Sequence, residues 1–282
     1  MNEPQLMAGR AHPTCRLIVD RPAPGAWNMA VDEALLDAAV EQGVAALRFY
    51  QWSEPTLSLG YFQRHADRDS HAASHDCTLV RRQSGGGAIL HARELTYSLT
   101  LPPGHPLARH AEQPYAAVHQ ALVELLTPHL PMAGSPYGLR ICVKSSSSSR
   151  CPQPQDAEPF LCFQRRAAGD VLLVAGSAAA HASQPPSAWK LVGSAQRRHR
   201  GAILQHGSLL VERSPAAPEL PGWRDLTGTP LPIDTLLVRL PELLASRLSV
   251  AMEPASLPTG LREAAAKIER ERYASRSWTL RR

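Results

Sequence analysis

Aromatic residues make up only 5% of this 282-residue chain, and lysine occurs only at Lys144, Lys190 and Lys267. No apolar run reaches the roughly 18 residues that a membrane-crossing helix needs. The opening MNEPQLMAGR has no apolar stretch after a basic one, so no secretory signal is expected. The five cysteines (Cys15, Cys77, Cys142, Cys151 and Cys162) are odd in number and irregularly spaced. That pattern argues against a disulfide framework and for reduced thiols in the cytoplasm. There is no CxxC pair, and His71 and His75 beside Cys77 read as a solvated loop, so no metal is expected. Walker, HExxH, GxSxG and Ser-His-Asp motifs are also missing.

The net charge of +5 comes mainly from arginine and is spread along the chain. Its densest cluster, Arg197-Arg198-His199-Arg200, is short, and a phosphate-tracking protein concentrates its charge more than this. Neither nucleic acid nor membrane is expected as a partner. The 44% hydrophobic content is ample for a packed core and excludes wholesale disorder.

Apolar spacing predicts a helix from an Asn28 N-cap to Gly43, with Val31, Leu35, Ala38 and Ala39 on its buried face. Short strands are expected over 46–51, 56–60 and 78–82, the last leading into Gly85-Gly86-Gly87. Leu95, Tyr97, Leu99 and Leu101 alternate with Thr96, Ser98 and Thr100, the period of a half-buried strand. A second helix follows Pro114 and stops at Thr127-Pro128. Strands are expected over 170–174, 189–195 and 202–211, and a C-terminal helix over about 261–273. No repeat or clean linker divides the chain. The expectation is one α+β domain with a core of about 27–248, interrupted by mobile loops at about 131–159 and 176–188.

Four segments could carry chemistry. In Arg81–His91, three glycines give up side-chain packing and allow a ligand or another backbone to approach closely. Arg82, Ser84 and His91 flank them, and a bulged hairpin turn is the plainer alternative. Lys190 interrupts an apolar strand ahead of Gly193-Ser194-Ala195. As a compact charge it could polarise a carbonyl or stabilise a thiolate, or it could simply face solvent. His206-Gly207 also lies within an apolar strand and could bond a ligand or its neighbours. Cys162, between Leu161 and Phe163, could be a nucleophile or a small core residue.

Together these segments resemble the lipoate–protein ligase and octanoyltransferase family. The matching stretches are Asn28–Leu35, Arg81–His91 with Glu94–Ser98, Lys190–Gln196 and Gln205–Ser208, in the family's order. The resemblance implies a biotin/lipoate-ligase-like catalytic domain, with mixed sheets flanked by helices. It assigns acyl contacts to Arg82, Ser84, Gly85, Gly86, Gly87, His91, Gly193, Ser194, Ala195, His206 and Gly207. Lys190 then falls on the acyl carbonyl. Cys162-Phe163 matches the Gram-positive-type octanoyltransferases, which hold octanoate as a cysteine thioester. The implied reaction needs no cofactor and moves octanoyl, or lipoyl, from acyl carrier protein to a carrier lysine. The acceptor would be the glycine-cleavage H protein or a 2-oxoacid dehydrogenase lipoyl domain. The alternatives are a lipoate ligase using ATP and magnesium, or a non-catalytic carrier-binding paralogue.

Overall fold

The computed structural model describes residues 12–131, 137–142, 159–175 and 187–282. Its strands are β1 (Thr14–Val19), β2 (Ala45–Tyr50), β3 (Thr56–Leu59), β4 (Thr78–Arg81), β5 (Ile89–His91), β6 (Glu94–Leu101), β7 (Tyr137–Ile141), β8 (Val171–Ala175), β9 (Ser187–His199), β10 (Ala202–Leu210) and β11 (Ala251–Pro254). Its helices are α1 (Gly25–Gln42), α2 (Glu112–Leu126), α3 (Trp223–Thr227), α4 (Ile233–Leu248), α5 (Thr259–Ile268) and α6 (Arg276–Thr279). An eight-stranded mixed sheet runs β11-β1-β2-β6-β10-β9-β8-β7, and a three-stranded sheet runs β4-β3-β5.

Strand alternation splits the large sheet between two cores. Leu47 and Phe49 of β2, with Leu95, Leu99 and Leu101 of β6, pack against Val118 and Leu122 of α2 and Leu240 and Leu244 of α4. Ala46 and Tyr50 face the other way, toward Ala30, Ala34 and Leu35 of α1 and Leu261 and Ala265 of α5. Mixed sheets between helices are therefore as the sequence implied. The half-buried reading of β6 is corrected, because all eight of its residues are buried. α1 covers the Thr96–Ser98 face, where hydroxyls meet buried carboxylates rather than water.

Three boundaries also differ from expectation. α1 begins at Gly25 behind Pro24, without a side-chain cap. Asn28 lies inside the helix, donating its amide to the carbonyls of Ala23 and Gln51. The expected loop of 131–159 contains β7, which pairs antiparallel with β8. Ala188, expected in the second loop, already pairs with Val174 as part of β9. The rest of those two loops, 132–136, 143–158 and 176–186, lies outside the described residues. Arg200 and Gly201, both with positive φ (45° and 84°), make the tight turn from β9 to β10.

Candidate functional site

The glycine loop joins β4 to β5 and is held from below by Arg82. This buried guanidinium donates to the carbonyls of Ser58, Gly85 and Gly87 at 2.8, 2.8 and 2.6 Å. Burial lowers its pKa to about 10. Gly86 has φ +94°, a conformation that side-chain-bearing residues rarely adopt. A Cβ on Gly87 would sit 3.0 Å from the Phe160 carbonyl oxygen. The loop's glycines thus admit another backbone, the 159–165 segment.

That segment carries Cys162. Ala88 donates its N–H to the Phe160 carbonyl (3.0 Å), and Cys162 donates its N–H to the Ala88 carbonyl (2.7 Å). The chain then turns through Cys162–Gln164. The turn leaves the half-buried thiol beside Gly86, where an added Cβ would lie 3.9 Å from Sγ.

Lys190 arrives from β9. A register shift at Val171/Leu172 sets β9 against β8 here, and Lys190 Nζ lies 3.8 Å from Cys162 Sγ and 3.4 Å from its carbonyl oxygen. The ammonium is buried and pairs with Asp170 at 2.9 Å. Asp170 also accepts from the Tyr115 hydroxyl (2.7 Å) and the Ala167 N–H (2.7 Å). Gly193 makes room for the lysine, since a Cβ there would come within 2.3 Å of Lys190 Cε. A further relay braces this corner. His119 Nδ1 donates to the Gly169 carbonyl at 2.7 Å, so its neutral Nε2 accepts from the Ser194 hydroxyl at 2.7 Å. Tyr97 in turn donates to Ser194 Oγ (2.7 Å). Burial lowers the pKa of His119 to about 4.

Behind the glycine loop the fold assembles the Ser-His-Asp arrangement that the linear sequence does not reveal. Asp32 Oδ2 can only accept as a carboxylate, so His206 Nδ1 donates to it (3.3 Å), while Nε2 shares a hydrogen bond with the Ser84 hydroxyl (2.5 Å). Asp32 also takes bonds from Arg48, Tyr50 and Ser98. Burial pushes its pKa up, but the His206 bond and the Arg48 charge outweigh this and hold it below the usual carboxylate value. Alongside runs a similar chain, Ser58 to His91 Nε2 (2.7 Å) and His91 Nδ1 to Glu94 (2.6 Å), with Trp52 stacked on the His91 ring. A small void of about 10 Å³, the room of one water, lies among Met29, Arg82, Ile89, His91 and His206.

The residues singled out from sequence therefore fall into three places. Cys162, Lys190, Arg82, Gly86, Gly87 and Gly193 gather at the thiol. Ser84, His91, His206 and Gly207 form the wall behind it, where Gly207 is forced by Ser194 Oγ, 2.2 Å from where its Cβ would be. Ser194 is engaged by Tyr97 and His119, and Ala195 pairs with His206 across the strands. Sequence reasoning missed Tyr115, His119 and Asp170 as members of the site, and Glu94 fell inside a matched stretch without a role of its own. Of these, Asp170 lies just before β8, at the start of the strand expected over 170–174.

A mixed sheet with a thiol and an ammonium converging beneath a glycine loop defines the class, and comparison with known proteins agrees. The fold superposes on the Thermoplasma acidophilum bipartite lipoate protein ligase with a TM-score of 0.64 at 18% identity, covering 95% of this chain and 97% of that one. It also matches lipoate-protein ligase A bound with ATP, with a TM-score of 0.66 at 18% identity and 95% and 98% coverage. The Lipoyl protein ligase A/B catalytic domain family model matches residues 24–217, and the chain belongs to that family. Octanoyltransferase LipM of Kyrpidia tusciae is 32% identical over 301 residues, covering 95% of this chain and 99% of that protein. Octanoyltransferase LipM of Staphylococcus aureus is 34% identical over 189 residues, covering 65% and 61%.

Proposed function

We infer that this chain is an acyltransferase that delivers octanoyl to a carrier lysine in protein lipoylation, through a thioester on Cys162. The single observation that carries the cysteine step is Lys190 Nζ at 3.8 Å from Cys162 Sγ. A fixed ammonium there can stabilise the oxyanion of the tetrahedral intermediate. In the first step the thiolate attacks the donor thioester carbonyl. The donor's thiolate leaves and takes up a proton. In the second, a neutral acceptor lysine attacks the acyl-cysteine, an amide forms, and Cys162 leaves as thiolate while the amine's proton passes to solvent. Exchanging one thioester for another costs little, so no nucleotide is needed.

The donor in this reading is octanoyl-acyl carrier protein. The acceptor is a lipoyl-carrier protein, the glycine-cleavage H protein or a 2-oxoacid dehydrogenase lipoyl domain. A structural neighbour described together with its E2 lipoyl domain supports that acceptor class. The reaction is placed in the cytoplasm, where the thiol stays reduced. Among the described residues no helix is long and apolar enough to cross a membrane. A free carboxylate would instead need ATP and magnesium, the ligase chemistry.

The test is intact-mass analysis after incubation with octanoyl-acyl carrier protein, with and without ATP. The expected result is one octanoyl adduct without ATP, sensitive to hydroxylamine and absent from Cys162→Ala. If Cys162→Ala acylates a carrier domain from free lipoate plus ATP as well as wild type does, the protein is a ligase.

A further inference from the structure

Two clefts flank the Cys162 turn, and Pro159 and Gln164 line both. The smaller, about 460 Å³, reaches Lys190 beside Trp189 and has Arg166 and Glu219 among its lining residues. The larger, about 920 Å³, runs from Phe62 and Arg64 down to Gly86, the glycine against the thiol. Inside this larger cleft the basic side chains have partners among the lining residues or beside them, Arg165 donating to the Pro159 carbonyl at 2.5 Å. Arg64 pairs with Asp67 at 2.9 Å, and His71 with Glu219 at 2.9 Å.

The edge of the larger cleft is different. Phe62 is 69% exposed. Arg282 lies 5.4 Å from its ring centroid. Arg281 and Arg197 lie 4.4 and 5.9 Å from the centroid of Tyr61. These three arginines are exposed, and none meets a carboxylate side chain within 4 Å among the described residues. The charge that looks scattered along the sequence is thus partly gathered here, from β9 and from the C-terminal residues. Arginines around aromatic rings at a cleft mouth form a positive surface with an apolar anchor.

We propose that Phe62, Arg197, Arg281 and Arg282 dock the acyl donor, an acidic carrier protein whose thioester-bearing arm passes down the larger cleft to Cys162. The proposal rests on the reading of Cys162 as the group that first receives the acyl chain. The donor fits this cleft better than the acceptor because its reacting carbonyl travels on a long flexible arm. An acceptor lysine projects only its own side chain from a folded domain. Positive charge at the mouth suits a partner whose acidic surface stays outside while its arm enters.

The test uses the full chain carrying Arg197→Glu, Arg281→Glu and Arg282→Glu. Octanoylation of Cys162 is followed by intact mass from octanoyl-acyl carrier protein and from octanoyl-pantetheine, which has no carrier domain. The expected result is a KM for the carrier-borne donor raised by about tenfold or more. The rate with octanoyl-pantetheine should be unchanged, which also shows that the variant is folded. Raising salt from about 0.05 to 0.3 M should weaken the carrier reaction of wild type and not that of the variant. Should the triple variant not fold, Arg197→Gln with Arg281→Gln is measured in the same way, with a smaller rise expected. An unchanged carrier KM overturns the proposal. So does a defect confined to transfer from preloaded octanoyl-Cys162 to a lipoyl domain, or a loss of nucleic-acid binding with carrier kinetics intact. If wild type forms no Cys162 adduct from either donor, the cysteine reading has failed instead. Carrier affinity, measured directly on both proteins, still tests the docking edge in that case.

Discussion

At the scale of single residues, the site depends on one buried ammonium with a defined partner on each side. Lys190→Ala should keep the fold and lose about 10²–10³ in acyl-transfer rate, the usual cost of removing one oxyanion stabiliser. Arginine at 190 should not restore the rate. The lysine already fills the space that Gly193 leaves open, and a guanidinium fork would carry its charge past the thiol. Asp170→Asn leaves that ammonium buried without its counter-charge. Stability should fall by about 3–5 kcal/mol, read by urea unfolding, and transfer should fall with it. A contrast comes from Cys15, whose thiol burial pushes up to about 12. Peptide mapping after brief iodoacetamide treatment of the native protein at pH 8 should find Cys15 unmodified. Lys190 was legible because lysine is rare here and this one breaks an apolar strand. Asp170 was partly legible, lying just before β8. Tyr115 and His119 were not, because they reach Asp170 and Gly169 from α2, about fifty residues away in sequence.

At the scale of elements, the end of β3 and the glycine loop meet backbone to backbone. A Cβ on Gly60 would fall 1.9 Å from the Gly86 carbonyl oxygen, so Gly60→Ala must displace the loop. The expected outcome is a loss of about 1–3 kcal/mol in stability together with loss of Cys162 acylation, checked by thermal unfolding and intact mass. Gly86→Val adds strain at φ +94° and should fail in both measurements. The triple glycine announced a close approach, whereas Gly60 looked like an ordinary strand end. β7 escaped notice because its five residues sit in a loop-like composition, and only pairing with β8 makes them a strand. Asn28 looked like a cap because asparagine favours caps. In the fold its amide instead ties α1 to Gln51, and its side-chain oxygen accepts from Arg48.

At the scale of the whole molecule, buried neutral histidines set the response to acid. His119, at about 4, and His91, also lowered by burial, bind protons more weakly folded than unfolded. The unfolded state therefore takes up more protons below pH 6.5, and stability falls as the pH drops from about 6.5 to about 4. For His119 alone the full effect is about 3 kcal/mol. Urea unfolding at pH 7 and pH 5 should show the loss, and His119→Gln should shrink it. The class, mixed sheets flanked by helices, was readable from element order and motif order, but which strands pair in each of the two sheets was not, since strand pairing is non-local. That division has a mechanical consequence. The thiol hangs from the small sheet through Ala88, and the ammonium rides on β9 of the large one. The gap between them acts as a vernier for the alignment of the two sheets. A slip of a single ångström between the layers would put the reacting groups out of step while every strand remained intact.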